Sequence, residues 1–219
     1  MDQDKTEFIF VRHGETEANI AGVLQGQLDT PLTDNGVAQA QAVGKALRHE
    51  VINAVYGSDL MRVKQTAEKI VSLHDGVIPV TYVPQLREWK CGEAEGLEIK
   101  VLKERYPDAF SGFSREKGLF RFPGGESRIE FQQRIDAFLD EIALKHRGER
   151  VLLISHGGTS HRVFHKIVGE VADNNFLPLV GNASISTFVY HFNADAWQML
   201  SWNCREHLRD VAQHISKVL

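Results

Sequence analysis

Two stretches of this chain are apolar at every position, Phe8-Ile9-Phe10-Val11 and Val151-Leu152-Leu153-Ile154. An unbroken run of this kind suits a strand covered on both faces of a sheet. The first run stops at Arg12-His13-Gly14 and the second at Ser155-His156-Gly157-Gly158. Elsewhere the period lengthens. Val37, Ala40, Val43 and Leu47 recur three to four apart behind Thr33, which predicts a capped amphipathic helix. A short strand fits Ala54-Val55-Tyr56, and Asp59 stands where it would cap a helix from about Met61 to Leu73. Another strand fits Val80 to Val83. A helix ending near Lys145 follows Pro123-Gly124-Gly125, with Ile135, Phe138, Leu139 and Ile142 on one face. A further helix is predicted from Thr159 to Val168, and strands from Ile185 to Phe192 and Gln198 to Trp202. The tail from about Arg205 carries Leu208, Val211, Ile215 and Val218 at helical spacing.

Strands alternating with helices predict an α/β fold: a mostly parallel central sheet with helices on both faces, in one domain spanning 1–219. The stretch 88–126, rich in Gly, Pro and charge, predicts a lid-like insertion with one short helix near Ile99 to Tyr106. Its aromatics Phe110, Phe113, Phe120 and Phe122 suit either a cover for an apolar leaving group or a local core.

Composition narrows the partners. Basic residues number 25 against 29 acidic, a net charge of −4, so no general attraction to nucleic acid or anionic membrane is expected. The two cysteines, Cys91 and Cys204, are too few for a disulfide scaffold. With no signal peptide or membrane span in the pattern, a cytoplasmic protein is expected.

In parallel sheets ligands bind beyond the carboxyl ends of the strands. Two histidines placed at such ends, His13 and His156, are positioned to meet. A lone histidine there reads as a satisfied core residue, but Arg12 beside His13 changes the reading. A guanidinium binds phosphate oxygens bidentately, and Gly14 lets backbone approach a ligand. A neutral imidazole is a nucleophile for a phosphoryl group. Nearby cations keep it unprotonated and stabilise the transferring oxygens. His161 and His165 have metal-ligand spacing, but Arg162 follows His161 and no metal is expected. Cys91, three residues past Glu88, reads as an incidental thiol near the pocket mouth.

The blocks Arg12-His13-Gly14-Glu15-Thr16, Gln25-Gly26-Gln27-Leu28-Asp29 and Pro31-Leu32-Thr33 resemble the start of the histidine phosphatase superfamily, also called phosphoglycerate mutase-like. The likeness continues at Ser58-Asp59-Leu60-Met61-Arg62, Leu86-Arg87-Glu88, Gly124-Gly125-Glu126-Ser127 and Ser155-His156-Gly157. The resemblance implies a phosphohistidine nucleophile at His13 and a phosphate pocket of Arg12, Arg62 and His156. It implies a proton donor at Glu88, and substrate contacts from Asn19, Gln25, Gly26 and the Gly157 amide. Taken alone, Arg62 reads as a surface arginine, Glu88 as a partner of Arg87 or Lys90, and Asn19 and Gln25 as turn amides.

The mutase branch of that family carries Tyr three residues after the acid, and a paired arginine in its insertion. Here Cys91 takes the Tyr position, and Arg115 and Arg121 are not adjacent. The resemblance therefore implies a phosphatase of small phosphorylated metabolites, independent of cofactor or metal, with a homodimer as a possible assembly. The alternatives are a phosphoglycerate mutase and a module that binds phosphate esters without turning them over.

Overall fold

The computed structural model describes residues 2–107, 118–169 and 178–212. Among these, β1 (Lys5–Arg12), β2 (Ala54–Ser58), β3 (Val80–Val83), β4 (Arg150–Ser155), β5 (Ile185–His191) and β6 (Ala196–Cys204) form one sheet. Its order is β3-β2-β4-β1-β5-β6. The first four in that order run parallel, and β5 and β6 add antiparallel strands at one side. The helices are α1 (Glu17–Ala21), α2 (Asp34–Ala46), α3 (Met61–Val71), α4 (Ile99–Arg105), α5 (Arg128–Lys145) and α6 (Gly157–Val168).

The apolar runs are continuous because both faces of the sheet are covered. Phe8, Phe10, Val151 and Leu153 pack on one side with Phe131, Ile135, Phe138 and Leu139 of α5 and Val163 of α6. Their neighbours Ile9, Val11, Leu152 and Ile154 pack on the other with Val43 of α2 and Val63, Ala67 and Ile70 of α3. One-residue alternation along each strand sends successive side chains to opposite layers.

Register then sets the site. On the parallel pair β1 and β4, Arg12 lies opposite Ser155. His13 donates its backbone N–H to the Ser155 carbonyl at 2.9 Å. The residues just past both strand ends, His13 and His156, are therefore neighbours.

Three expectations need correction. Asp59 does not cap α3. Its carboxylate forms a two-point salt bridge with Arg87 at 2.7 and 2.6 Å, and Asp29 accepts from the Met61 N–H instead. The tail is not helical over 205–212: one 3-10 turn, Glu206–Leu208, buries Leu208, while Ile215 and Val218 lie outside the described residues. Gly14 packs its loop closely against α2, since a Cβ there would stand 2.4 Å from the Gly36 carbonyl oxygen. Cys91 is not at a pocket mouth. It is fully buried with Ala94, Leu102 and Phe122, and burial pushes its thiol well up.

That small core also answers the question of the aromatics. Phe122 is sealed inside it, with Phe120 and Tyr106 against its ring. Phe110 and Phe113 lie outside the described residues. The described part of the insertion is thus a packed unit, and it is stitched to the chain after α1. Leu24 donates to the Leu97 carbonyl and Gly96 to that of Leu24.

Candidate active site

His13 and His156 stand edge to face, with ring centroids 5.3 Å apart. His13 Nδ1 lies 2.6 Å from the Gly14 carbonyl oxygen. A carbonyl only accepts, so Nδ1 carries the hydrogen and the lone pair is left on Nε2. The ring is 2 % exposed. Burial, then the charges of Arg62 and Arg12, hold it well below the ordinary histidine value. It is a neutral imidazole with a fixed tautomer and a free nitrogen.

His156 is fixed too. Arg62 Nε donates to its Nδ1 at 3.2 Å, so its Nε2 carries the hydrogen and donates to Ser58 Oγ at 2.8 Å. Burial and the neighbouring cations keep this ring neutral as well.

The two arginines are held by backbone. Arg62, 1 % exposed on the first turn of α3, donates to the carbonyls of Leu28 and Gly26, each at 2.8 Å. Gly26 thus enters the site through its carbonyl. Arg12 donates from Nη1 to the Val180 carbonyl at 2.5 Å, and its buried Nε has no partner. Burial lowers both guanidiniums to about 10, so both stay charged at neutral pH. Neither forms a salt bridge among the described residues. Burying an unpaired charge is costly. Two such cations around one imidazole form a seat for an anion that comes from outside.

Glu88 faces the same place from the start of the insertion. Its Oε2 accepts from the Gly158 N–H at 2.8 Å and its Oε1 from the Trp89 N–H at 2.8 Å. A Cβ on Gly158 would lie 2.2 Å from Oε1, so the carboxylate needs glycine there. Gly157 opens α6, where first-turn N–H groups have no partner within the helix. A Cβ on it would approach the Arg12 guanidinium to 3.2 Å.

Asn19 and Gln25 are placed by their oxygens. Asn19 Oδ1 accepts from the Thr16 N–H, the Thr16 hydroxyl and Asn182 Nδ2 at 3.0–3.1 Å. Gln25 Oε1 accepts from Thr16 and Thr30. Each amide nitrogen, a donor suited to phosphate oxygens, remains for a ligand.

Several residues that hold this arrangement were not expected from sequence. Asn182 Nδ2 reaches the carbonyls of His13 and Gly14 at 3.2 and 3.3 Å, clamping the loop that carries His13 from the chain before β5. Ser58 orients His156. Arg134 of α5 donates to the carbonyls of Gln85, Arg87 and Glu88, and pairs with Glu126. Only Thr66 has a local signal: it sits one turn after Arg62 and bonds both the Arg62 carbonyl and the Gly14 N–H.

The buried histidines make stability depend on pH. His13, His156 and His161 all titrate below the ordinary 6.5, chiefly through burial, His161 at about 4. Below about 6.5 the unfolded chain takes up protons that the folded chain refuses. Stability present above that pH is therefore lost as pH falls, by up to about 1.4 kcal/mol per pH unit for each such ring. Urea unfolding should give a lower free energy at pH 5 than at pH 7.5. An equal or higher value at pH 5 would contradict neutral buried rings.

The model of the histidine phosphatase superfamily (branch 1) matches residues 8–205. A metal-independent phosphoserine phosphatase of Arabidopsis thaliana is 36 % identical over 214 residues, covering 96 % of this chain and 87 % of that protein. The protein named probable phosphoglycerate mutase GpmB of Proteus mirabilis is 34 % identical over 205 residues, covering 92 % and 94 %. The solved structure of a mycobacterial glucosyl-3-phosphoglycerate phosphatase superposes with a TM-score of 0.80 at 27 % identity, covering 92 % of this chain and 100 % of that one.

Proposed function

Because the chain belongs to the histidine phosphatase superfamily, we propose that it hydrolyses small phosphomonoesters without a metal, through a phosphohistidine on His13. The observation that carries this reading is the seat itself: a neutral His13 with Nε2 free, between two buried guanidiniums that form no salt bridge among the described residues.

The substrate phosphate sits against Arg12 Nε, the Arg62 guanidinium, the Gly157 N–H and the Asn19 and Gln25 amides. His13 Nε2 attacks phosphorus, the ester P–O bond breaks, and Glu88 gives its proton to the leaving alcohol. Water then attacks phosphorus, Glu88 takes its proton, and the P–N bond breaks to restore His13. His156 keeps Arg62 in place and adds no charge of its own. Fixed cations and donors stabilise the transferring oxygens, which is the main demand of phosphoryl transfer.

A phosphatase is favoured over a mutase by the surroundings of Cys91. The position where the mutase branch carries a tyrosine is here sealed in a local core. Arg121 pairs with Glu130 on the surface, and Arg115 lies outside the described residues. The free thiols Cys91 and Cys204 support a reducing, cytoplasmic setting. No described helix is long and apolar enough to cross a membrane.

Phosphate release from phosphoserine and p-nitrophenyl phosphate in excess EDTA tests the reading. Release is expected to persist at the rate seen without chelator. Release that vanishes with EDTA and returns with added metal would overturn it.

A further inference from the structure

Arg162 lies outside the phosphate seat, yet its surroundings give it a use. It stands one turn after Gly158 on α6 and so shares the face whose Gly158 N–H holds the Glu88 carboxylate. α5 packs against that region: Gln132 Nε2 donates to the Arg162 carbonyl at 3.0 Å. Arg128, one turn before Gln132, lies over the Trp89 ring at 5.4 Å, and Trp89 follows Glu88. Glu88, Asp136 and Arg128 all act electrostatically on Arg162.

Glu88 and Asp136 act on this cation only through space. Its guanidinium makes no hydrogen bond or salt bridge among the described residues. The Asp136 carboxylate accepts from Gln132 at 2.6 Å instead. Burial lowers Arg162 to about 10, so it is charged at neutral pH, and the residue keeps some contact with solvent.

We propose that Arg162 is a specificity-determining residue whose guanidinium binds a carboxylate on the leaving group of the phosphomonoester. This rests on the reading that Glu88 protonates the leaving oxygen. The group beside Glu88 then faces the alcohol half of the substrate, while Arg12 and Arg62 hold the phosphate. Guanidinium and carboxylate match as a planar two-point pair. The substrates favoured are short phosphorylated hydroxy or amino acids.

The test is a matched pair of esters, 3-phosphoglycerate and glycerol 3-phosphate, which differ by a carboxylate in place of a hydroxymethyl. In the wild type kcat/KM should favour the carboxylate ester. In Arg162→Ala that preference should fall at least about tenfold, mainly through KM, and Arg162→Lys should restore part of it. A preference left intact overturns the proposal, including the case in which both esters lose the same factor and Arg162 acts only through Glu88. So does a wild type that hydrolyses both equally, which leaves the phosphatase reading standing. A wild type that hydrolyses neither ester overturns the proposal, and release from p-nitrophenyl phosphate by the same preparation then decides whether the phosphatase reading stands.

Discussion

His13→Ala is expected to lower kcat by at least ~10⁴-fold while the protein still folds. The loss is large because no other described group offers a free ring nitrogen at the seat. Both nitrogens of His156 are engaged, with Arg62 and with Ser58. The fold survives because the backbone at position 13 keeps its partners, Ser155 ahead and Ala183 behind. The substitution removes the ring partner of the Gly14 carbonyl, which still accepts from Asn182 Nδ2 at 3.3 Å, a cost of about 1 kcal/mol. That is a fraction of the ~5–15 kcal/mol that holds a domain together. Steady-state phosphate release and a urea unfolding curve on the same preparation check both halves. Near-normal release from a folded variant would remove His13 as nucleophile.

Glu88→Gln should lower kcat for alkyl phosphates by ~10²–10⁴-fold, and much less for p-nitrophenyl phosphate. Nitrophenolate departs without a proton, whereas an alkoxide does not. Glutamine also meets only one of the two N–H groups that the carboxylate accepts, from Gly158 and Trp89. Repositioning alone would slow both kinds of ester, so dependence on the leaving group is the discriminating readout. Gly158→Ala gives an independent arm, because its Cβ would occupy the place of Glu88 Oε1. It should show the same dependence in weaker form. Equal losses on both ester types would assign Glu88 a structural role.

The sheet and the meeting of His13 with His156 were legible in the sequence because each depends on short-range pattern. Phe8 to Val11 and Val151 to Ile154 are apolar throughout, and each is followed by His-Gly, so two strand ends and two chemistries were visible together. Thr33 was a readable cap because its hydroxyl bonds only three residues on, to the Gly36 N–H. What escaped depends on contacts between distant segments. Asn182 reaches His13 across 169 positions, and Arg134 reaches Arg87 across 47. Nothing local to an asparagine before a strand, or an arginine on a helix, announces such a partner. Asp59 misled for the same reason: it had the right place for a cap, but Arg87 from another segment claimed it. The close contact of Gly14 with the Gly36 backbone escaped for the same reason, since no reading of positions 12–15 contains it.

The central claim is a covalent phosphate on His13, and rapid quenching with phosphate-labelled phosphoserine tests it most directly. The expected result is protein-bound label that survives alkali, is lost in acid, maps to the peptide containing His13 and is absent from His13→Ala. Turnover of the same ester with no label trapped at any quench time, or label that persists in His13→Ala, would contradict it.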